Sequence, residues 1–501
     1  MNQQYQNLVQ KLEEITHLSG VMSTLGWDQE VMMPPGAGEA RAKQIAALAG
    51  VIHERMTDPA LGECLNELKE KDFDALSELE RCNIREALHS YELETKVSKQ
   101  LVQELAELSS RGQGIWVMAR QENKFSDFAP VLKRFLELKQ EWAQCVSPDL
   151  KSYDANIDLF ERGTTMDMIT PIFERLKQEL IPLIHAIQEH SYQPDTAFLQ
   201  GKFALDKQEA LARKISQDIG FNFEQGRMDV SVHPFCGGSH PTDVRITTRY
   251  KDNNFVESLY AVIHETGHAL YEQGRPHELG DLPASESLTM GIHESQSLFW
   301  ERMIAQSKPF CQHYFETIRA AFPDNLKSAT VDSFYRAINT CKPEFIRVEA
   351  DEVTYPLHII LRYEIEKGLF DGSMQVDDLP HIWNELMQKY LGIQPPTDAL
   401  GVLQDSHWSG GAFGYFPSYT LGAMYACQFY QTLLREQSDT ERNIAKGNFA
   451  PIKNWLNEKI HRQGRLYSPQ GLVQRVTGEA LNPDYFVDYL KRKYSEVYNL
   501  T

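Results

Sequence analysis

The stretch from residue 255 to 274 reads FVESLYAVIHETGHALYEQG and contains the pattern H-E-x-x-H, with histidines at His264 and His268 and an acid at Glu265. On a helix, residues four positions apart lie one above the other, so both imidazoles point the same way. Two neutral imidazoles in this arrangement can bind one zinc ion, and the adjacent carboxylate can take a proton from an activated water. The pattern predicts amide hydrolysis with His264 and His268 as metal ligands and Glu265 as the general base.

The flanking sequence supports a buried helix at this place. Asn254 and its neighbours are good N-terminal caps, and Gly274 followed by Pro276 is a common helix end. The apolar residues Val262 and Leu270 indicate burial. The alternative, two surface histidines on an ordinary helix, does not explain this pattern.

A catalytic zinc needs a third protein ligand. The extended pattern of one large peptidase class requires Gly at position 271 and His at 274, but the chain has Tyr271 and Gly274, which excludes that class. Glu272 continues the helical series but lies eight residues after His264, about 12 Å along a helix, too far to share one ion. We therefore interpret Glu272 as a group that supports a ligand.

The third ligand is expected on the following helix, where Glu286, Glu294 and Glu301 are candidates. Residues 274–284 leave room for a loop, and a helix beginning at 283–287 would bring Glu294 back to the metal after two turns. Glu286 would lie at the helix start, where it can act as a cap, and Glu301 lies two turns beyond Glu294. The spacing favours Glu294.

The remaining sequence predicts the scaffold, a mainly α fold. Residues 3–19 and 60–145 have helical periodicity, and residues 285–500 are mostly helical, with a Pro- and Gly-rich loop at 394–420. In the segment 226–250, alternating residues predict an antiparallel hairpin, with strands at 229–233 and 243–250. We expect a large helical body with a deep substrate groove and a small antiparallel β element beside the metal helix.

Composition limits the function and location. The chain has 501 residues and a formal net charge of −20, which argues against a nucleic-acid surface. No apolar stretch is long enough for a membrane span. The seven cysteines are odd in number and form no C-x-x-C, and the N-terminus lacks a signal pattern, so we expect a cytoplasmic protein. We predict one catalytic unit, 1–501, divided at most into subdomains 1–225 (helical) and 226–501 (metal- and substrate-binding).

Six sequence motifs, taken in order, resemble those of the Taq-type metallocarboxypeptidases. The resemblance runs from about residue 20 to the C-terminus and also covers WDQEVMMPPGAGEAR near the start. The motifs are HPF at 233–235, DVRIT at 243–247, HETGH at 264–268, HESQ at 293–296, IRVEAD at 346–351 and GVLQDSHW at 401–408.

This resemblance implies an almost all-helical fold with a deep groove, a homodimer, and removal of C-terminal residues from peptides with broad specificity. It also implies a zinc ion that cobalt can often replace, and it supports Glu294 as the third ligand.

A carboxypeptidase must hold the free C-terminal carboxylate of its substrate, and a guanidinium can do this with two hydrogen bonds. Arg347 and Arg245 are the candidates. The alternative for each is a structural ion pair, with Asp351 or Asp243 respectively, since these acids are near in sequence.

Other candidates belong to the wall opposite the metal. His407 is a candidate for stabilising the oxyanion, unless it is a buried histidine braced by Asp405. Tyr415 and Tyr419 lie in a predicted loop that can close over substrate, and either can donate a hydrogen bond.

The segment before the metal helix offers a further wall. His233, together with Phe235, is a candidate for contact beside the scissile bond, and a packing role in the turn is the alternative. A strand edge here can also align an extended peptide.

Two other functions remain to be compared with the carboxypeptidase. An endo-acting zinc oligopeptidase would share the metal site but lack a carboxylate clamp and a closed groove end. A non-catalytic helical binding protein with a relict metal site conflicts with the intact set His264, Glu265, His268 and Glu294.

Overall fold

The computed structural model describes residues 3–500, except for the side chains of residues 71 and 72. Helices dominate this part of the chain, as predicted. Helices α1 to α9 span Gln3–Val31, Gly38–Met56, Pro59–Glu67, Glu78–Thr95, Lys99–Glu122, Phe125–Val146, Ser152–Asp158, Met166–Glu189 and Leu205–Asp218. Helices α10 to α20 span Phe255–Gly274, Met290–Leu298, Lys308–Ala321, Val331–Ile338, Tyr355–Asp371, Leu379–Leu391, Pro417–Glu436, Thr440–Ala445, Ala450–Lys459, Pro469–Thr477 and Asp484–Tyr498.

Most of the apolar side chains form one large core. This core includes buried residues from Val97 to Tyr498 and therefore takes members from both sides of position 225. Helix α16 lies within it, with Met424, Cys427 and Phe429 fully buried. The division into subdomains at 225 stays a prediction.

Helices α1, α3 and α4 share a hydrophobic cluster of their own, which we call the N-terminal cluster. It contains Tyr5, Leu8, Leu65 and Ile84, and Leu282 is the one buried member among the described residues that comes from outside residues 5–88. Helix α4 begins with a capping box in which Ser77 and Glu80 satisfy each other's main-chain groups, as a helix start requires. Every residue of helix α2 is at least partly exposed.

A three-stranded sheet lies beside the metal helix. Its strands are β1 (Gly226–Val230), β2 (Cys236–His240) and β3 (Asp243–Thr248), in the order β1-β3-β2. Val244 and Ile246 of the central strand pack with Val262 and Ala269 of α10 in a small apolar cluster. The sheet thus supports the back of α10.

The predicted hairpin is wrong in its pairing. β1 and β3, which correspond to the two predicted strands, run parallel, with Gly226 opposite Val244. The antiparallel partner of β3 is β2, with Cys236 opposite Ile246. Residues 237–238 were predicted to form the turn between the two strands, but they belong to β2. The tight turn comes later, between His240 and Asp243.

Candidate active site

Helix α10 carries the H-E-x-x-H pattern, and its bounds match the prediction. The side-chain oxygen of Asn254 accepts a hydrogen bond from the main-chain N–H of Glu257 at 3.1 Å, which caps the first turn. The helix ends at Gly274, as expected. The next helix, α11, begins at Met290, a few residues later than predicted, and carries Glu294.

Two glycines allow α11 to approach its neighbours closely. A Cβ added to Gly267 of α10 would lie 2.5 Å from the main-chain oxygen of Gln296, and one added to Gly422 of α16 would lie 2.8 Å from the Cβ of Glu294. Any side chain at these positions would push α11 away. The position of Glu294 is therefore fixed by contacts between helix backbones.

His264, His268 and Glu294 form the one metal-ligand cluster found among the described residues. Their ligand atoms all lie within 4.8 Å of one another. Glu294 Oε2 is 3.5 Å from His264 Nε2 and 3.4 Å from His268 Nε2. Four ligands placed tetrahedrally at about 2.0–2.1 Å from zinc are about 3.4 Å apart, so this donor set fits one such ion.

Outer hydrogen bonds hold both histidine ligands. His264 Nδ1 lies 2.8 Å from Glu301 Oε2. His268 Nδ1 lies 2.6 Å from His293 Nδ1, and His293 Nε2 lies 2.8 Å from Glu272 Oε1. If His268 binds metal through Nε2, its Nδ1–H donates to His293, whose own N–H then donates to Glu272.

These contacts distinguish the three glutamates named from the sequence. Glu272 contacts His293, which in turn contacts His268, so its role in supporting a ligand stays a prediction. Glu301 supports the other ligand directly, and Glu286 forms an ion pair with Arg465 at 2.9 Å. Sequence reasoning missed His293 as a bridge, although its place beside Glu294 was a signal.

Glu265 lies next to the ligands and is 7% exposed. Burial raises the pKa of its carboxyl to about 7; His264 opposes this shift, while the carboxylates of Glu294 and Glu301 add to it. It lines the same cavity as the three ligands. Its side chain is thus placed to exchange a proton with a group held above the metal ligands.

The cavity around these residues has a volume of about 770 Å³. That space can hold several residues of an extended peptide. Groups from distant parts of the sequence form its other walls, and they include Pro234, Phe235, Tyr260, Arg302, Arg347, Tyr355, Tyr415 and Tyr419.

Arg347 is buried in the wall of this cavity. Its Nε and Nη2 donate to Asp405 Oδ1 at 3.0 and 2.8 Å, and its Nη1 donates to the Tyr355 hydroxyl at 2.7 Å. The partner is therefore Asp405 and not Asp351, which instead accepts main-chain N–H groups such as that of Thr354. A guanidinium has five N–H donors, so one N–H of Nη1 and one N–H of Nη2 remain without a partner among these contacts.

Asp405 connects two buried arginines. Its Oδ2 accepts from Arg362 Nε at 2.7 Å, while Oδ1 accepts from Arg347. Burial alone would raise the pKa of Asp405, but the two guanidinium groups hold it well below its usual range. Asp405 stays charged and fixes both arginines.

His407 lies behind the cavity-lining tyrosines. It is not among the residues that line the cavity, and its Nε2 is 3.3 Å from the hydroxyl of Tyr419. Burial lowers the pKa of His407 to about 4, although Asp405 opposes the shift. The structure thus places a neutral imidazole against a tyrosine and not against the reacting space.

Tyr415 and Tyr419 both line the cavity, with ring centroids 5.3 Å apart. Tyr415 lies in the predicted loop. Tyr419, however, lies in the first turn of α16, which begins at Pro417. The helix fixes Tyr419, so only Tyr415 retains the freedom of a loop residue.

Arg245 and His233 do not line this cavity. Arg245 forms a two-bond ion pair with Asp243, at 2.8 and 2.9 Å, and its guanidinium carbon lies 4.4 Å from the ring centroid of Trp27. His233 is exposed, while its neighbours Pro234 and Phe235 do reach the cavity. For Arg245 the ion pair suggested as an alternative by the sequence is present.

No helix in the described part of the chain is both long enough and apolar enough to cross a membrane.

The chain is similar to known proteins in both sequence and structure. Residues 7–494 match the sequence model of a family described as carboxypeptidase Taq (M32) metallopeptidase. The chain is 41% identical to carboxypeptidase 1 of Bacillus subtilis, over 98% of this chain and 97% of that one. It is 39% identical to thermostable carboxypeptidase 1 of Thermus thermophilus, over 99% of each. The crystal structure of an M32 carboxypeptidase from Deinococcus radiodurans superposes with a TM-score of 0.97, at 34% identity and full coverage of both chains.

Proposed function

Since this chain belongs to the carboxypeptidase Taq (M32) metallopeptidase family and is thus a metal-dependent carboxypeptidase, a peptide hydrolase, we propose roles for its site residues. We propose that His264, His268 and Glu294 hold zinc and that cobalt can replace it. When bound, the metal polarises the scissile carbonyl and makes water more acidic. The observation that carries the assignment is the cluster of these three ligands beside Glu265.

Glu265 acts as the general base. It lines the cavity immediately beside the ligands, so it can take the proton of the attacking water and return it to the leaving amine. No other carboxylate serves as well, because Glu301 is bonded to His264 and Glu272 to His293.

Arg347 binds the C-terminal carboxylate of the peptide. Asp405 and Tyr355 hold its guanidinium in one orientation, and its remaining N–H groups on Nη1 and Nη2 can donate to a carboxylate. Arg347 is preferred to Arg245 because Arg347 lines the metal cavity and Arg245 does not. We assign His233 to the rim of the groove, because it is exposed and its neighbour Phe235 lines the cavity.

Tyr415 and Tyr419 are the candidates for stabilising the oxyanion. Both hydroxyl-bearing side chains line the cavity, where each can donate a hydrogen bond to developing negative charge. His407, predicted to do this directly, acts instead as a positioning residue through its contact with Tyr419.

The protein is proposed to be a cytoplasmic homodimer that acts on peptides with a free C-terminus. The seven cysteines are all free, which suits a reducing compartment. Helix α2 lacks buried residues, and Val21, Met32 and Val51 nearby are exposed by 40% or more. Such apolar surface suits a partner subunit, and sedimentation at two protein concentrations tests the dimer.

A single peptide tests the function. The metal-loaded enzyme is incubated with the peptide and with its C-terminally amidated form, and products and metal content are measured. We expect stepwise release of C-terminal residues from the free acid and almost none from the amide. Equal cleavage of both forms at an internal bond would instead support an endo-acting oligopeptidase.

A further inference from the structure

Arg302 is a second buried arginine in the wall of the metal cavity. It lies in the π-helical turn Phe299–Ala305, which continues α11, and it is 7% exposed. Its Nη1 has no hydrogen-bond partner among the described residues, and no described carboxylate forms an ion pair with it. A buried guanidinium with a free donor is unusual, because unpaired buried donors are costly.

The other two buried arginines nearby each have a counter-ion, because Arg347 and Arg362 share Asp405. Arg302 is held in a different way, with its guanidinium carbon 5.4 Å from the ring centroid of Tyr355. A ring face attracts the cation but accepts no in-plane hydrogen bonds, so Tyr355 does not satisfy the N–H groups of Arg302, a residue that lines the cavity although its Nη1 is itself buried.

The acidic groups around Arg302 are engaged elsewhere. Glu301 accepts from His264, Glu294 belongs to the metal cluster, and Glu352 is paired with Lys493. These carboxylates balance the charge of Arg302 at a distance, but none satisfies its donors. A substrate carboxylate that enters the cavity would accept hydrogen bonds from Arg302.

We propose that Arg302 binds the side-chain carboxylate of a C-terminal Glu or Asp and so gives this enzyme a preference for acidic terminal residues. The proposal rests on the proposed function, in which Arg347 takes the main-chain carboxylate. Arg347, Arg302 and Tyr355 line the same cavity, and the guanidinium carbons of Arg347 and Arg302 lie 5.7 and 5.4 Å from the Tyr355 ring centroid; the proposal requires that one terminal amino acid contacts both arginines. The same positive charge disfavours terminal Lys and Arg.

The test uses acetylated tetrapeptides that differ only in their last residue, which is Glu, Gln or Lys. Glu and Gln have nearly the same shape, so their ratio of kcat/KM isolates the charge. We expect the zinc-loaded wild type to prefer Glu over Gln by about tenfold to a hundredfold, the size of a hydrogen bond between charged groups. Lys should be the poorest of the three.

Variants assign the preference to this residue. R302Q should bring the Glu/Gln ratio to about 1 and improve the relative rate on Lys, while R302K should keep part of the preference for Glu. The matched control is R319Q, the same change at an exposed arginine on α12, which should leave the ratio as in the wild type.

The results separate this proposal from the one on which it rests. A wild-type enzyme that releases Gln as fast as Glu overturns the role of Arg302 but leaves the carboxypeptidase intact. Equal losses on all three peptides in R302Q, with metal retained, would mean that Arg302 is structural. If no peptide is hydrolysed by the metal-loaded wild type, the proposed function itself fails.

Discussion

Two parts of the site, which we call the metal end and the charged end, are built in different ways. At the metal end, His264, His268 and Glu294 come from two consecutive regular helices, and glycine contacts set the spacing of those helices. At the charged end, Arg347 and Asp405 come from irregular segments 58 positions apart in the chain. The first end depends on backbone packing, whereas the second depends on a network of charges.

This difference determines what the sequence could predict. The metal ligands followed from the repeat of a helix and the distance to the next one, both of which are local. The partner of Arg347 did not, because Asp351 is closer in sequence but uses its oxygens for main-chain N–H groups. Arg302 gave no signal at all, since nothing in the sequence indicates that its donors are free.

The fold shows the same limit. Helices were predicted well, because their periodicity is a property of short stretches. The sheet was predicted in place but not in topology, since parallel pairing of β1 and β3 depends on the connection through β2. Likewise, periodicity did not show that Tyr419 belongs to α16 and Tyr415 to the loop.

At the metal end, the largest expected effect is a fall in catalytic rate without loss of the metal. Glu265→Gln should lower kcat by about a thousandfold, the scale of general acid–base catalysis, while zinc stays bound. Activity on a peptide and metal content by elemental analysis are measured together. Loss of zinc would show that Glu265 supports the ligands and is not the base.

At the charged end, the largest effect should be on stability. Asp405→Asn leaves Arg347 and Arg362 buried without their counter-ion, which should cost about 3–5 kcal/mol of unfolding free energy. Denaturant unfolding at neutral pH measures it. A change below 1 kcal/mol would mean that the network does not support this end.

The pH dependence of the same variant sharpens this test. The pKa of Asp405 is depressed in the folded protein, so its contribution is complete above the unfolded pKa of about 3.9 and is lost as the pH falls below it. We therefore expect the stability gap between wild type and Asp405→Asn to narrow only in acid. A gap that narrowed above pH 6 would contradict the assignment.

A smaller effect is expected from Arg347→Gln, which removes the proposed carboxylate clamp. The KM for a free-acid peptide should rise by about a hundredfold, since a charge-assisted bond is worth about 1.5–3 kcal/mol. Cleavage of the amidated peptide should stay near zero in both enzymes, and zinc content should not change. The corresponding change at Arg245, outside the cavity, is the control. A larger loss in the Arg245 variant would reverse the assignment of the two arginines.

The smallest expected effect comes from a glycine substitution, which alters backbone packing without removing a functional side chain. Gly267→Ala inserts a methyl group against the main chain of α11 and should cost about 1–3 kcal/mol of stability while weakening zinc binding. Gly26→Ala is the matched control, because a Cβ at Gly26 of α1 meets nothing within 4 Å. In thermal unfolding with and without zinc, Gly267→Ala should therefore melt at a lower temperature and gain less from zinc than Gly26→Ala. If the two variants have the same melting temperatures, α11 can shift to accommodate the methyl group.

The N-terminal cluster has a consequence for how the molecule unfolds. Because α1, α3 and α4 have a hydrophobic cluster separate from the main core, they form a unit that can open at a lower free energy than the whole protein. In hydrogen exchange, we expect the amides of these helices to exchange together and earlier than those of α16. Helix α1 also contacts the strand edge beside the metal cavity, with Gly20 against Ser239. Transient opening of this layer would therefore widen the approach to the cavity while α10, α11 and α16 stay folded.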